Sequence, residues 1–380
     1  MAAARRVMAA LAALLYAGLL LAPTRSTREV SARKYPDRRP VRFWHMWSAE
    51  WKDVVDQIVE RYNRSQTRWE LIALSVPSTG EVQLSDTKFL LGAVGGDPPD
   101  VMAQWNPVIP TWADSGLLMP FEELMSPEEK AVFNREAYPI VRKIGSYKGR
   151  TYGIPTAINA FAIYYLPRHF QEAGLDPDHF PTTLEELTDV AARLTRREPS
   201  GSLTRLGFLP HDWAHTAPLF GGGFYDYATG RLTLDRPENL RALEWLVFLR
   251  RRVGFDDFIR FQAGLNTQSF GGGWPFIGEA YSICVDGQWR VEQIARYAPR
   301  LEYRTAPVPP PKGGVAGAGY SNGNFMVIPR AAAEKQGAWD FVKFWSGIAD
   351  PERAAEFYTW GGWLPITDRI ARAPAFRTYL

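Results

Sequence analysis

Apolar and polar residues alternate with two different periods along this chain. Residues 41–47 (VRFWHMW), 69–76 and 100–105 are short runs rich in β-branched and aromatic side chains, which is typical of strands. Residues 51–62 instead carry apolar side chains three and four positions apart, which predicts a helix with one buried face, and Ser48 stands at its N-cap. This alternation predicts an α/β architecture in which helices cover largely parallel sheets.

The later part of the chain continues the alternation. Residues 158–166 (INAFAIYYL) are apolar enough for a central strand that is buried on both faces. Thr182 and Glu185 have the spacing of a capping box, and Pro237 begins a further helix. The runs YSICV and NFMVIP predict two late strands, and residues 338–348 predict a helix.

The N-terminus has the pattern of an export signal. Arg5 and Arg6 precede an uncharged apolar run over residues 7–22, as in a secretory signal. We therefore expect residues 1–32 to be a signal peptide or an N-terminal anchor, followed by a linker over residues 33–40. The protein is then expected in the periplasm or outside the cell, with a membrane association through its N-terminus.

Composition and charge narrow the function classes. With 380 residues, the chain is long enough for two domains or one large one. Its net charge of +3 comes from interspersed acidic and basic residues, without the single-sign stripe that nucleic-acid binding favours, so no nucleic-acid partner is expected. Cys284 is the one cysteine, so no intramolecular disulfide can form. The distinctive quantity is the aromatic fraction of 13%, which includes 14 tryptophans.

Many of these tryptophans stand in predicted loops. Any one of them could cap a hydrophobic cluster, but as a group beside amide and carboxylate side chains they suit a sugar, because flat rings cover its C–H faces while polar groups bind its hydroxyls. In α/β sheets, ligands bind beyond the carboxyl ends of the strands, where these residues fall. The loop tryptophans are Trp47, Trp105, Trp213, Trp274, Trp289, Trp360 and Trp363.

Other chemistries have weaker signals. Asp97 and Asp100 could suggest glycoside hydrolysis, but the prolines between them favour a role in a turn. His211 and His215 are four residues apart, with prolines on either side and no third ligand in the sequence pattern, so no metal is predicted. Nucleophile-elbow and phosphate-loop motifs are absent from the sequence, and we predict no cofactor.

Five segments together resemble a known family. FWHMW, GGDPPDVMAQWNPVIPTWADSGLLMPFEEL, GRTYGIPTAINAFAIYYLPRHFQEAGLDPD, FIGEAYSICVDGQWR and GYSNGNFMVIP are similar to the extracellular solute-binding proteins of ABC importers, family 1, which includes maltose- and oligosaccharide-binding proteins. The resemblance runs in order from residue 41 to the C-terminus. It implies a two-lobe fold of the periplasmic-binding-protein type, with three hinge crossings and a ligand cleft between the lobes.

The resemblance also implies how the chain divides. Lobe 1 is expected to contain residues 41–158 and 284–320, and lobe 2 residues 159–283 and 321–380. Relatives continue beyond the segment that ends this chain, so the C-terminal part of lobe 2 is expected to be shortened.

The ligand site is assigned partly from the resemblance and partly from the aromatic and polar pattern. The resemblance implies Trp47, Ser48, Gln104, Trp105, Asn159, Asp212, Trp213, Asp286 and Trp289, with Glu50 as a less certain neighbour. The aromatic and polar pattern adds Trp274 and Asn322. Trp44 and Trp51 are expected to pack inward, by strand alternation and helix spacing.

The function implied is solute capture without catalysis. The protein is expected to bind a carbohydrate, an oligosaccharide in the first place, and to deliver it as a monomer to the permease subunits of an ABC importer. A polyol or a glycerol-phosphate diester stays open as the solute. A carbohydrate-active hydrolase, and a ligand-sensing protein that works without transport, remain the alternatives from other classes.

Overall fold

The computed structural model describes residues 33–76, 84–226, 231–265 and 271–377. The predicted signal peptide, residues 1–32, lies outside these ranges. The strands in chain order are β1 (Arg39–His45), β2 (Trp69–Ser75), β3 (Val101–Trp105), β4 (Ser146–Tyr147), β5 (Arg150–Thr151), β6 (Ile154–Ile158), β7 (Phe161–Tyr165), β8 (Arg196–Arg197), β9 (Leu203–Leu209), β10 (Tyr225–Asp226), β11 (Arg231–Leu232), β12 (Tyr281–Gly287), β13 (Arg304–Ala306) and β14 (Gly323–Val327).

The α-helices cover the two larger sheets. In chain order they are α1 (Ala49–Ser65), α2 (Leu84–Val94), α3 (Ile109–Asp114), α4 (Pro127–Glu136), α5 (Pro139–Ile144), α6 (Pro167–Glu172), α7 (Leu184–Leu194), α8 (Trp213–Thr216), α9 (Pro237–Val253), α10 (Phe255–Gly264), α11 (Trp289–Tyr297), α12 (Lys335–Ser346), α13 (Pro351–Gly361), α14 (Asp368–Arg372) and α15 (Pro374–Arg377).

Two five-stranded sheets, each with its own hydrophobic clusters, define two lobes. Lobe 1 is built on the sheet with strand order β2-β1-β3-β14-β6, and lobe 2 on the sheet with order β13-β7-β12-β9-β8. In lobe 1, β1 is parallel to both β2 and β3, while β14 is antiparallel to β3 and β6. In lobe 2, β12 is parallel to β9 and antiparallel to β7. The predicted two-lobe α/β architecture is confirmed.

The spacing of apolar residues accounts for the first helix and strand. Every apolar position of α1 that the helical spacing predicts is buried, from Trp51 to Tyr62. In β1, residues 41–45 are all buried, as expected for a strand between two neighbours with both faces covered. Trp44 and Trp51 are 5% and 6% exposed, which confirms that both pack inward.

The apolar run over residues 158–166 is two strands and not one. β6 ends at Ile158 in the lobe 1 sheet, and β7 begins at Phe161 in the lobe 2 sheet. Asn159 and Ala160 lie between them and carry the chain from one lobe to the other. This is the first of the predicted crossings. Apolar residues are nearly continuous over residues 158–166, so the pattern of apolar and polar positions does not reveal where the chain changes sheet.

The second predicted crossing is corrected by the sheet pairing. β12 was expected to lead back to lobe 1, but it pairs with β7 and β9 along its length, and β13 after it also pairs with β7. Residues 284–320 therefore belong to lobe 2. The chain returns to lobe 1 where residues 307–322 lead into β14, so a single stretch, residues 159–322, builds lobe 2.

The C-terminal assignment is also corrected. Residues 321–380 were expected in lobe 2, but β14 pairs in the lobe 1 sheet and the helices after it join the lobe 1 core. Trp345 stacks on Trp47 with ring centroids 5.6 Å apart, and Trp363 lies 5.5 Å from Trp47 and 5.6 Å from Trp345. We call these three rings the indole triad. The Trp51 Nε1–H also donates to the Gly361 carbonyl at 3.1 Å.

Two smaller boundaries differ from the sequence prediction. The predicted linker over residues 33–40 folds onto lobe 1, because Arg33 Nε lies 2.8 Å from a Glu70 carboxylate oxygen and β1 begins at Arg39. The cap of α7 is shifted by one residue, since Thr183 accepts the backbone N–H of Glu186. Thr182 and Glu185 are therefore not the capping pair.

Candidate functional site

The two segments that connect the lobes lie side by side and hold each other through amide groups. Asn159 donates its backbone N–H to the Asn322 carbonyl at 2.8 Å, and its side-chain Nδ2 donates to Asn322 Oδ1 at 2.7 Å. Gln288 Nε2 donates to Asn159 Oδ1 at 3.1 Å, and Gln288 Oε1 accepts the Ala160 N–H at 2.9 Å. The Ser321 hydroxyl donates to the Asn159 carbonyl. These hydrogen bonds join the two connecting segments to each other between the lobes.

Two aromatic residues lie directly beside this hydrogen-bonded connection. Phe161 and Trp289 meet edge to face, with centroids 5.7 Å apart, and both are only partly buried. The Trp289 indole occupies the space that a Cβ on Gly287 would need, with ring carbons 2.0–2.4 Å from that position. Glycine at position 287 is therefore required for this ring to fold back toward lobe 1, where it packs on the edge of the core.

Trp105 lies near the same connection on lobe 1, because its strand partner Asn324 follows Asn322 by two residues. It ends β3, pairs in register with Asn324 and is 36% exposed, more than any other predicted site tryptophan. Its Nε1–H donates to the Met46 sulfur. Gln104 is buried at 1% exposure, and its side chain bonds to Asp86 and to the Trp105 N–H. Gln104 thus supports Trp105 and does not reach the open space.

Two predicted ligand tryptophans lie in hydrophobic cores. Trp47 belongs to the indole triad and is 7% exposed, and Trp274 is 4% exposed against Tyr164 and beneath the Arg290 guanidinium, 4.4 Å from the ring centroid. The interpretation that these two rings face a ligand is corrected, because other side chains cover them. Ser48 is the N-cap residue of α1 and is half-buried, without a side-chain capping bond.

The remaining predicted residues lie in a salt bridge, an aromatic contact and a histidine cluster. Asp286 Oδ2 lies 2.8 Å from Arg290 Nε. Trp213 packs on Phe224, and its Nε1–H donates to the Asn239 carbonyl at 2.7 Å. Asp212 lies between the imidazoles of two histidines, which are described below. Of the predicted set, Trp105, Asn159, Trp289 and Asn322 come together at the connection between the lobes.

Comparison with known proteins assigns the fold to a family. The family model described as bacterial extracellular solute-binding protein matches residues 57–379. The chain belongs to this family. Its members act outside the cytoplasm, in the periplasm or the extracellular space. Within the ranges that the structure describes, no helix combines the length and the apolar character needed to cross a membrane.

Individual relatives of this solute-binding protein are distant. The maltotriose-binding protein of Pyrococcus abyssi is 22% identical over 347 residues, which cover 88% of this chain and 68% of that protein. The sn-glycerol-3-phosphate-binding periplasmic protein UgpB of Salmonella typhimurium is 21% identical, over 86% of this chain and 74% of that protein. Among solved structures, CpMnBP1 with mannobiose bound superposes with a TM-score of 0.78 at 25% identity, over 90% of this chain and 87% of that chain.

A second polar contact joins the lobes of the solute-binding protein just beyond the carboxyl end of β1. Glu50, in the first turn of α1, is 7% exposed. Its two carboxylate oxygens lie 3.3 Å from Gln293 Nε2 and 3.4 Å from the Tyr297 hydroxyl, both on α11 of lobe 2. Sequence reasoning found Glu50 as a neighbour of the site but gave no role to Gln293 or Tyr297, because the spacing within α11 says nothing about which helix lies across from it.

The carboxylates that could have suggested hydrolysis have structural bonds. Asp100 is fully buried and accepts the backbone N–H groups of Arg42, Ala333 and Glu334 at 2.8–2.9 Å. Asp97 pairs with the Arg42 guanidinium at 2.8 Å. These bonds tie β1 to the start of the C-terminal segment, so both carboxylates have a structural role that is long-range and not the local turn role that the sequence favours.

Phe161 and Gln288 are site residues that the prediction omitted. Phe161 was read as one position of a continuous strand, so its place at the start of a new sheet was hidden. Gln288 immediately precedes Trp289 in the run DGQW, and this polar neighbour is the signal that could have found it.

Proposed function

We propose that this protein captures an uncharged carbohydrate, an oligosaccharide in the first place, and delivers it to the permease of an ABC importer. The observation that carries the proposal is the group of Trp105, Phe161 and Trp289 around the hydrogen-bonded connection between the lobes. Flat rings of this kind stack on the C–H faces of sugars, and the amides beside them can bind hydroxyls. The relatives that are named for maltotriose and mannobiose support the same class of solute.

The charges near the site favour an uncharged solute over a phosphate ester. Arg290 is the cation closest in sequence to Trp289, and it is 7% exposed, paired with Asp286 and stacked over Trp274. An anion would have to compete with the partly buried Asp286 carboxylate for this guanidinium. The likeness to a glycerol-3-phosphate-binding protein therefore names the main competing solute, and the test below includes it.

The mechanism we propose is a shift between open and closed arrangements of the lobes. A solute that touches both Trp105 on lobe 1 and Trp289 on lobe 2 binds the closed arrangement more tightly and so raises its population. The closed surface is then what the permease recognises. The protein makes and breaks no covalent bond in the solute. The predicted signal peptide would direct export of the protein to the outer face of the membrane.

The test is a fluorescence titration of the purified chain with mannobiose, maltotriose, glycerol and sn-glycerol 3-phosphate. We expect a saturable change with an oligosaccharide, and mass spectrometry of the recovered sugar should find it unaltered. Trp289→Ala should weaken the affinity by about 10- to 100-fold, since stacking and burial of one large ring contribute about 1.5–3 kcal/mol.

The matched control is Trp360→Ala. Trp360 is also partly buried but packs on Phe357 and Arg61 at the outer side of lobe 1, so its loss should leave the affinity unchanged. Binding of sn-glycerol 3-phosphate alone would reject the carbohydrate assignment, and cleavage of the sugar would replace solute capture with hydrolysis.

A further inference from the structure

Two histidines and an aspartate form a compact cluster in lobe 2. β9 ends at Leu209, and His211 and Asp212 follow it. Asp212 is the N-cap of α8, and its Oδ1 accepts the His215 backbone N–H at 3.0 Å. This cap brings the His215 side chain back over Asp212, so that the two imidazole centroids lie 3.6 Å apart.

The carboxylate of Asp212 orients both rings. Oδ1 lies 2.7 Å from His215 Nδ1 and Oδ2 lies 3.3 Å from His211 Nδ1. One carboxylate therefore holds both imidazoles in place.

His215 presents an unused ring nitrogen. Its side chain is 10% exposed, and its Nε2 is buried without a hydrogen-bond partner in the described part of the chain. The ring nitrogens that face Asp212 are Nδ1 of both histidines, so an ion shared with its carboxylate would be bound by Nδ1 of each ring. Such an ion would replace the hydrogen bonds that these two nitrogens now make, including the one from the Asp212 backbone N–H to His211 Nδ1 at 2.9 Å.

We propose that His211, Asp212 and His215 bind a divalent transition-metal ion of the Zn²⁺ class. Each residue offers one ligand atom, and these atoms all lie within 4.8 Å of one another. Tetrahedral zinc with bonds of about 2.0–2.1 Å needs ligands about 3.4 Å apart, which small side-chain rotations from this arrangement reach. Two imidazoles and one carboxylate suit Zn²⁺, Ni²⁺ or Cu²⁺ and not Mg²⁺ or Ca²⁺.

The surroundings favour a specific site over a surface cluster. Phe161 packs edge-on against both imidazoles, at 5.0 Å from His211 and 4.3 Å from His215, and Tyr320 lies 4.6 Å from His215. These rings limit the movement of the imidazoles. The Asp212 side chain is 60% exposed, which provides an entry path for the ion and room for water as a fourth ligand.

The test is calorimetric titration of the tag-free chain with ZnCl₂ at pH 7.5, with MgCl₂ as the hard-cation comparison. We expect one Zn²⁺ per chain and no heat with Mg²⁺. His211→Asn and His215→Gln should each weaken Zn²⁺ binding by at least about 100-fold. Asp212→Asn keeps an N-cap residue and should cost about 10- to 100-fold.

The matched control is His179→Gln. His179 also pairs its Nδ1 with a carboxylate, that of Asp176, but it is exposed and belongs to a different turn. Its loss should leave Zn²⁺ binding unchanged. Far-UV circular dichroism checks the fold of each variant, and the visible absorption of bound Co²⁺ gives a second readout that reports ligand type. The proposal is overturned if the parent chain does not bind Zn²⁺, if binding survives His211→Asn, or if His179→Gln weakens it equally.

Discussion

His45 is a histidine without polar neighbours. It ends β1 between Phe43 and Trp47, is 1% exposed, and neither ring nitrogen has a hydrogen-bond partner within the ranges described. Burial lowers its pKa to about 4; the Asp56 carboxylate opposes this shift, and the Lys52 ammonium adds to it. The ring is therefore neutral in the folded protein above about pH 4.

This burial predicts a loss of stability in mild acid. The folded pKa of about 4 lies below the unfolded value of 6.5, so the unfolded chain binds a proton first. The free energy of unfolding should fall as the pH drops from 6.5 to about 4, by about 3 kcal/mol from this residue. Urea unfolding of the parent chain and of His45→Leu, at pH 7.5, 6 and 4.5, measures this change in the free energy of unfolding.

The expected result is a flatter pH dependence in His45→Leu than in the parent. His179→Leu is the control, because it changes an exposed ring and should keep the parent's slope. Equal slopes for the parent and His45→Leu would contradict a buried neutral imidazole.

Residue roles at the end of β1 were predictable only in part. Strand alternation and helix spacing were sufficient for Trp44 and Trp51, because their neighbours lie in the same or the next element. Trp47 is covered by Trp345 and Trp363, about three hundred positions later in the chain, and local spacing holds no information about such a contact.

At the scale of elements, the junction between β6 and β7 depends on one amide side chain. Asn159 is 6% exposed and bonds to Asn322 and Gln288 through its side chain. Asn159→Ala would leave the Asn322 Oδ1 and the Gln288 Nε2 without this partner in a buried setting.

We expect Asn159→Ala to lower the free energy of unfolding by about 1–3 kcal/mol, the usual cost of unsatisfied buried polar groups. Urea unfolding followed by circular dichroism measures the change. Ser321→Ala is the control, since it removes one hydroxyl bond from the same junction and should cost less than about 1 kcal/mol. A variant as stable as the parent would mean that water replaces these bonds.

Most elements were predictable, but their partners were not. The amphipathic spacing gave α1 and the helix over 338–348, now Lys335–Ser346, close to their observed bounds. The same spacing could not reveal that α12 packs on β1 and α1, because an apolar stripe is compatible with any apolar face. The error in the C-terminal half of the lobe assignment follows from this.

At the scale of the whole molecule, we expect the contact of Glu50 with α11 to favour the closed arrangement of the lobes. Glu50→Ala removes the acceptor for both Gln293 and Tyr297, which lie on the other lobe. If these bonds exist only when the lobes are close, their loss disfavours the closed arrangement.

We expect Glu50→Ala to weaken solute binding by about tenfold, corresponding to about 1.4 kcal/mol, with little change in the melting temperature. Fluorescence titration gives the affinity, and small-angle X-ray scattering should find a larger radius of gyration than in the parent. Glu60→Ala, on the exposed face of the same helix, is the control. Unchanged affinity and size would assign the contact to stability alone.

Because residues 159–322 form lobe 2 without interruption, one continuous segment of the gene encodes the whole lobe. We call this segment the lobe 2 cassette. The two ends of the cassette meet where the Asn159 N–H bonds to the Asn322 carbonyl, 2.8 Å away. Recombination at these two points would exchange the whole of lobe 2, with Phe161, Trp289 and the histidine cluster. Lobe 1, which carries Trp105, would stay unchanged. New solute preferences can therefore arise by exchanging one contiguous piece of DNA, without changing the segments that build lobe 1.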